Sequence, residues 1–423
     1  MRTLAFLDPG HFHAALTLRE RQTGVTDEIF VYAPAGPELD HFLALIHAFN
    51  RRPEHPTAWR PIVRPGDGSL ERLLADRPGD CVVLAGRNDR KAGIIRRLHD
   101  AGHHVLADKP WLASATGLDD LRRALISGAL AVEIMTGRHE ITSILTRKLM
   151  AERDVFGDFD TTHGDGPAIE MTSVHHLEKT VNGAPVRRPP WFFDVRVQGD
   201  GIADIPTHMV DYVQRLVAAV RGPGDMDTAL ELVSARRWAT PVPRDLFTRA
   251  TGEPNFPPEL REVVVGSVLA YYGNAALSLR AGGVPARLET RWDLSEPAGG
   301  GDMHRASIRG TRARIEVEQS GATAFRRRLV VSPVRGPEGL RAALGRAIAG
   351  WQPTYPGLAL SASDTGWEIQ VPRGLDTGHE SHFPLVLAEF LAMVEAGSAP
   401  PALARDTLAK YALLARAAME AKT

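Results

Sequence analysis

The feature that most constrains this chain is a rhythm in its first 130 residues, where short apolar runs alternate with helical segments. LAFLD reads as a strand, PGHFHAALTLRER as a helix, and DEIFVYA as a second strand. ELDHFLALIHAFN follows as an amphipathic helix, with apolar residues three and four apart. RPIVRP reads as a third strand and SLERLLADR as a helix capped by Ser69. CVVLAG and HHVLAD are strands around DRKAGIIRRLHDAG, a helix ended by Gly102. TGLDDLRRALISG is a helix closed by Gly128. Strands joined by helical crossovers this short pair in parallel, in a sheet covered on both faces.

Past residue 130 the rhythm changes. LAVEIM is a strand and HEITSILTRKLM a helix. Residues 202–221 read as mostly helical, stopped by Gly222-Pro223. ALELVSARRW, VVVGSVLAYY, ALSLRA, ARLETRWDL, RARIEVEQS, RRLVVSPV and WEIQV follow with no long helices between them, which predicts a large antiparallel or mixed sheet. EPAGGGD reads as a surface loop. Two helices close the chain, near 383–395 and 402–420. The fold class expected is therefore α/β. A Rossmann-like parallel domain spans 1–130, and an α/β domain with a large, mostly antiparallel open sheet spans 131–423, its final helices free to pack back on the first.

The 423 residues carry 50 basic and 51 acidic side chains. That balance argues against a nucleic-acid partner, which needs a cationic face to displace counterions. The pairs Arg51-Arg52, Arg96-Arg97, Arg187-Arg188 and Arg236-Arg237 are scattered and read as solvated surface. The longest uncharged stretch, 263–279, contains Gly266, Ser267, Gly273 and Asn274 and reads as strands with a turn, not as a membrane span. The sole cysteine, Cys81, lies in an apolar strand and fits a reducing compartment; with no signal peptide in MRTLAFLDPG, a cytoplasmic location is expected. Only six of the basic residues are lysine: Lys91, Lys109, Lys148, Lys179, Lys410 and Lys422.

Four stretches carry chemistry. In LAFLDPGHFHAAL, the turn where a dinucleotide-binding fold places its glycine-rich loop, only Gly10 is glycine, and Asp8 stands where the first glycine would be. The second strand ends at Ala33, where a ribose-binding acid is usual. In residues 85–111 a strand ends in Asp108-Lys109-Pro110. Ligands of open α/β sheets bind at such carboxyl ends, and Pro110 supplies a cis or rigid turn that aims Lys109. In GDGIADIPTHMVDYVQRL, Asp204, His208 and Asp211 are spaced i, i+4, i+7. On a helix they share a face, and the carboxylate orients an imidazole for proton transfer. The alternative is a helix that turns these groups to solvent. HEITS at 139–143 lacks the second histidine of a zincin. His11 and His13, or His175 and His176, have no acidic partner at ligand spacing, so no metal is expected. Trp191, in the run Trp191-Phe192-Phe193, either walls a sugar pocket or packs under a loop.

AGHHVLADKP and GIADIPTHMVD, in this order and separation, resemble the Gfo/Idh/MocA oxidoreductases. The resemblance implies an N-terminal Rossmann domain, a C-terminal domain on a large open sheet, and NAD or NADP as cofactor. It places the family's lysine on Lys109, its acid on Asp108, its Asp and His on Asp204 and His208, and Asn88 beside the nicotinamide half. The sequence departs from the family in its glycine loop, in the ribose acid, and in Pro206, which replaces a glycine. The cofactor is thus expected along Gly10, His11, Phe12 and His13, with Ala33 at the ribose and Asn88, Lys109 and Pro110 toward the nicotinamide. Lys109, Asp204 and His208 are the candidate catalytic groups, meeting in a cleft between the domains. Trp191 and Asp211 are the candidate substrate contacts.

The activity expected is hydride transfer between NAD(P) and a hydroxyl-bearing carbon of a sugar, cyclitol or related polyol. The rivals are a redox-assisted glycoside-cleaving enzyme and a non-catalytic dinucleotide- or sugar-binding regulator. A sheet too wide for its helices to cover leaves an apolar face for a homodimer or homotetramer.

Overall fold

The computed structural model describes all residues except 127, 163–165, 182–183, 223–228, 335, 337–338 and 423. The chain divides into two compact units. One comprises residues 1–139, 196–199 and 378–412; the other comprises 140–195, 200–377 and 413–423.

The first unit is built on six parallel strands. These are β1 (Arg2–Leu7), β2 (Val25–Ala33), β3 (Arg60–Pro65), β4 (Cys81–Leu84), β5 (His104–Asp108) and β6 (Ala131–Ile134), in the order β3-β2-β1-β4-β5-β6. β1 and β4 are buried along most of their length because both faces are covered, which is why they read as continuous apolar runs. Cys81 is buried in β4. The unit runs past the expected boundary at 130 because LAVEIM joins this sheet as β6. The helix His382–Ala396 belongs to it too, burying Phe383, Val386, Leu387 and Phe390 in its core.

The helix expected after β1 is only one turn long, His13–Leu16. The Thr17 hydroxyl bonds back to the Ala14 carbonyl, and Trp59 Nε1 donates to the Leu18 carbonyl at 2.7 Å, so the turn is tied off instead of continued.

The second unit carries a ten-stranded, mostly antiparallel sheet in which Val284–Ser295 pairs in parallel with Ile169–Glu178. Its core runs from Ile141 and Leu145 through Phe192, Phe193, Tyr271 and Trp292. The exposed side of the strands Leu230–Pro243 and Val284–Ser295 carries Arg236, Arg287, Glu289, Arg291 and Asp293 beside Trp238 and Pro241, so the face expected to pair is mixed, charged as well as apolar. Residues 264–281 form strands as read, and no described helix is long and apolar enough to cross a membrane. The stop at Gly222 holds as the end of a helix, while Pro223 lies outside the described residues.

HEITSILTRKLM forms the helix Ile141–Ala151, capped by Glu140. The Glu140 carboxylate accepts from the backbone N–H and the hydroxyl of both Thr142 and Ser143 and pairs with Arg327 at 2.7 Å. Burial alone would raise its pKa. Arg327 and these donors outweigh burial and hold it down to about 2. A folded pKa below the unfolded one, ~4.3, means the stabilisation is full above that value and is lost as pH falls from ~4.3 toward ~2. Glu140→Gln is therefore expected to unfold earlier in urea than the wild type at pH 7. The gap should close as pH is lowered through that window; a gap independent of pH would contradict the assignment.

Candidate functional site

In the first unit the strand order reverses between β1 and β4, and the chain leaves the carboxyl ends of β1, β4 and β5 toward opposite sides of the sheet. That crevice is where such folds bind ligands. Two turns meet there. Gly10 N–H donates to the Asp8 carbonyl at 2.7 Å, and His11 N–H donates to Ala85 O at 2.9 Å. A Cβ on Gly86 would stand 2.3 Å from the Asp8 carbonyl oxygen, so only glycine lets the turns approach this closely. Asp8 itself adopts a left-handed conformation at φ 43°. Ala33 is buried at the end of β2, with its carbonyl taken by Gly66. Beside it, Tyr32 donates to Asp76 at 2.8 Å.

The Lys109–Pro110 peptide is cis. Asp108, buried just before it, binds Nδ1 of both His11 and His13 at 3.0 Å and accepts its neighbour Lys109's N–H at 3.0 Å. Burial favours the neutral acid. The His13 and His11 imidazoles outweigh it and hold the carboxyl well below the usual range. This is the acidic partner that local spacing did not provide, because it comes from 95 and 97 residues along the chain.

Asn88 is buried and fully engaged. Its amide donates to Gln198 O at 2.8 Å, and its oxygen accepts from Lys91. Lys91, wholly buried, also donates to the Asp108 carbonyl at 2.8 Å and so ties the end of β4 to the end of β5. Sequence reasoning missed this lysine, although its rarity in an arginine-rich chain was a signal.

In the second unit Asp204 is not on the helix. The helix runs Pro206–Arg221, with proline in its first turn; Asp204 lies in the bend before it and only His208 and Asp211 are helical. Asp200, which the sequence reading passed over, shapes that bend. It accepts from Ile202 N–H at 2.9 Å and from Arg237 at 2.7 Å, and its carbonyl accepts Asp204 N–H. Gly201 crosses Asn274 so closely that a Cβ would lie 2.4 Å from its carbonyl carbon. Asp204 and Asp211 are buried, not turned to solvent, and Asp211 pairs with Arg215 at 3.2 Å. Trp191 is buried in the turn Pro190–Phe193.

Arg188 is not the solvated surface residue expected. It packs 4.4 Å over Phe192 and 5.0 Å over Trp292 and donates to the carbonyls of Leu177 and His176. Burial lowers its pKa against the fields of Tyr271, Asp302 and Asp204. Tyr271 is pushed well above its usual value by burial and by the Asp204 charge.

Nearby in this unit, His175 Nδ1 meets Asp302 at 3.0 Å and its Nε2 meets the Ser173 hydroxyl at 2.7 Å; His304 reaches the same hydroxyl at 2.8 Å. Lys179 joins Asp302 at 2.7 Å. Asp302 falls in the stretch read as a surface loop, yet its side chain is 17% exposed. Ser173 and His304 are directly opposed across an antiparallel pair, so period-two alternation was the signal available for them. The second unit thus gathers imidazole, carboxylate, guanidinium and phenol groups beside aromatic faces, a set suited to holding and deprotonating a hydroxyl-rich molecule.

Residues 145–422 match the family described as "Putative oxidoreductase C terminal domain". A crystal structure described as a "putative oxidoreductase" from Parabacteroides merdae is 34% identical, with 98% of this chain and 96% of that one covered and a TM-score of 0.91. Two more distant structures share the fold. One, described as a "putative myo-inositol dehydrogenase" from Sinorhizobium meliloti, is 14% identical over 99% of this chain and 98% of that one, at a TM-score of 0.54. The other, a 3-ketoreductase from Actinomadura kijaniata in complex with TDP-benzene and NADP, is 15% identical over 100% and 98%, at 0.56. No curated protein matches.

Proposed function

Because this chain belongs to the Gfo/Idh/MocA oxidoreductases, we propose that it moves a hydride between NAD or NADP and a carbinol carbon of a sugar, cyclitol or related polyol. The observation that carries the reading is the strand reversal between β1 and β4, with Asp8, Gly10, Gly86, Asn88 and Lys109 all at the carboxyl ends of β1, β4 and β5.

The residues there fit a dinucleotide. Asp8 Oδ1 is buried with no hydrogen-bond partner among the described residues, an acceptor that a ribose hydroxyl would satisfy. The Gly10–His13 backbone and Ala33 would flank the adenosine half, and Asn88, Lys109 and Pro110 the nicotinamide half. When bound, the nicotinamide would accept or give the hydride.

This chain's own residues would manage the proton. Lys109 or His208 would take it from the substrate hydroxyl. A lysine can be desolvated until it exchanges a proton at working pH, whereas an arginine stays charged. Asp204, in the field of Arg188, would tune His208. Trp191 would offer a face for a sugar ring and Asp211 would hold its hydroxyls.

The test is turnover on a panel of sugars and cyclitols with oxidised nicotinamide supplied. Reduced cofactor should accumulate mole for mole with oxidised substrate. Substrate cleavage with no free reduced cofactor would instead assign the redox-assisted route.

A further inference from the structure

Outside the proton-transfer groups, the first unit holds a close gathering of metal-ligating side chains. His11, His13 and Asp108 bring two imidazole nitrogens and a carboxylate oxygen within 4.8 Å of one another, the one such group among the described residues. We infer that these three side chains bind one divalent first-row transition-metal ion, with zinc as its probe.

Three observations carry this. Both imidazoles aim the same atom, Nδ1, at the same oxygen, Asp108 Oδ2, each at 3.0 Å. Three ligands bonded at ~2.1 Å and at right angles around an ion stand ~3.0 Å apart, the spacing of a facial two-histidine, one-carboxylate set. The donors are also preorganised. β5 fixes Asp108, Lys109 N–H holds its second oxygen, and Lys91 holds its carbonyl, while His11 N–H is pinned to Ala85. Such surrounding bonds are what fix ligand orientation in metal sites. Exposure is graded, with the Asp108, His13 and His11 side chains at 4%, 12% and 25%, so the ion would keep a side open for water or an exogenous ligand.

The donor chemistry selects the metal class. Two imidazoles and one carboxylate suit zinc, iron, cobalt or nickel; calcium and magnesium prefer oxygen alone. The site does not depend on the dinucleotide reading, because the three side chains suffice without it. The competing arrangement is a buried carboxylate that merely accepts hydrogen bonds from two imidazoles, and the experiment separates the two.

The full-length chain, stripped with chelator, is titrated with zinc by calorimetry and with cobalt by visible absorption. One ion per chain is expected, with cobalt ligand-field bands. His11→Asn and His13→Asn should each weaken binding by about tenfold or more, with folding checked by circular dichroism. Carbethoxylation of the wild-type chain by diethyl pyrocarbonate, mapped by mass spectrometry, should show zinc-dependent protection of His11 and His13, which needs no variant. Absence of stoichiometric binding, binding that the variants leave unchanged, or no protection at these two histidines would overturn the inference.

Discussion

Replacing His208 with alanine, or Lys109 with arginine, is expected to lower turnover on an identified polyol by about 10²–10⁴-fold, the usual contribution of a general acid–base group. Dinucleotide affinity should change little, since neither side chain is assigned to the phosphates. The two variants probe different chemistry. Lys109→Arg keeps the positive charge and removes only the ability to give up a proton. Near-normal turnover in that variant would show that charge alone suffices at residue 109. Asp204→Asn should cost less than His208→Ala if Asp204 only tunes the imidazole. An equal loss would show that the carboxylate acts on the substrate itself. Steady-state rates at saturating cofactor check all three.

The largest stability effect is expected at Lys410. Its ammonium is wholly buried against Glu133 of β6, whose second oxygen takes the Tyr411 hydroxyl. Tyr411 in turn accepts Trp111 N–H at 2.8 Å and stacks on the Trp111 ring. Burial and the Glu133 charge raise the Tyr411 pKa well above its ordinary value. Lys410→Met leaves the Glu133 charge unpaired in the interior, which costs about 3–5 kcal/mol, whereas removing both charges is often near neutral. Urea unfolding of Lys410→Met should therefore show a large loss, and the double variant Lys410→Met, Glu133→Leu should recover most of it. A loss under about 1 kcal/mol, the level of an exposed pair, would contradict this account.

The lysines show how far sequence alone could be read. Their scarcity among arginines drew attention to Lys109, yet Lys91 and Lys410 are the wholly buried ones. A compact ammonium fits an interior niche that a planar guanidinium fork does not, so burial explains two of the six before any catalytic argument is needed. The strands of the first sheet were legible because apolar runs and crossover helices are local signals. The membership of β6 was not, since a four-residue apolar strand reads alike in either unit. Asp204 was placed on a helix by its spacing, but Pro206 starts the helix two residues later. His11 with Asp108, and His175 with Asp302, are contacts across 97 and 127 residues. Each histidine pair lacked an acidic partner in the sequence because folding, not spacing, supplies the carboxylate. Arg188 was misread for the same reason: Trp292, one of its two aromatic faces, is far along the chain.

Calorimetric titration of the purified chain with NAD, NADH, NADP and NADPH asks whether a nicotinamide dinucleotide binds at the carboxyl ends of the first unit's strands. Saturable binding of at least one of them is expected at one molecule per chain, weakened when Gly86 is replaced by a residue whose Cβ forces the β1 and β4 turns apart. No heat of binding from any of the four at millimolar concentration would contradict it.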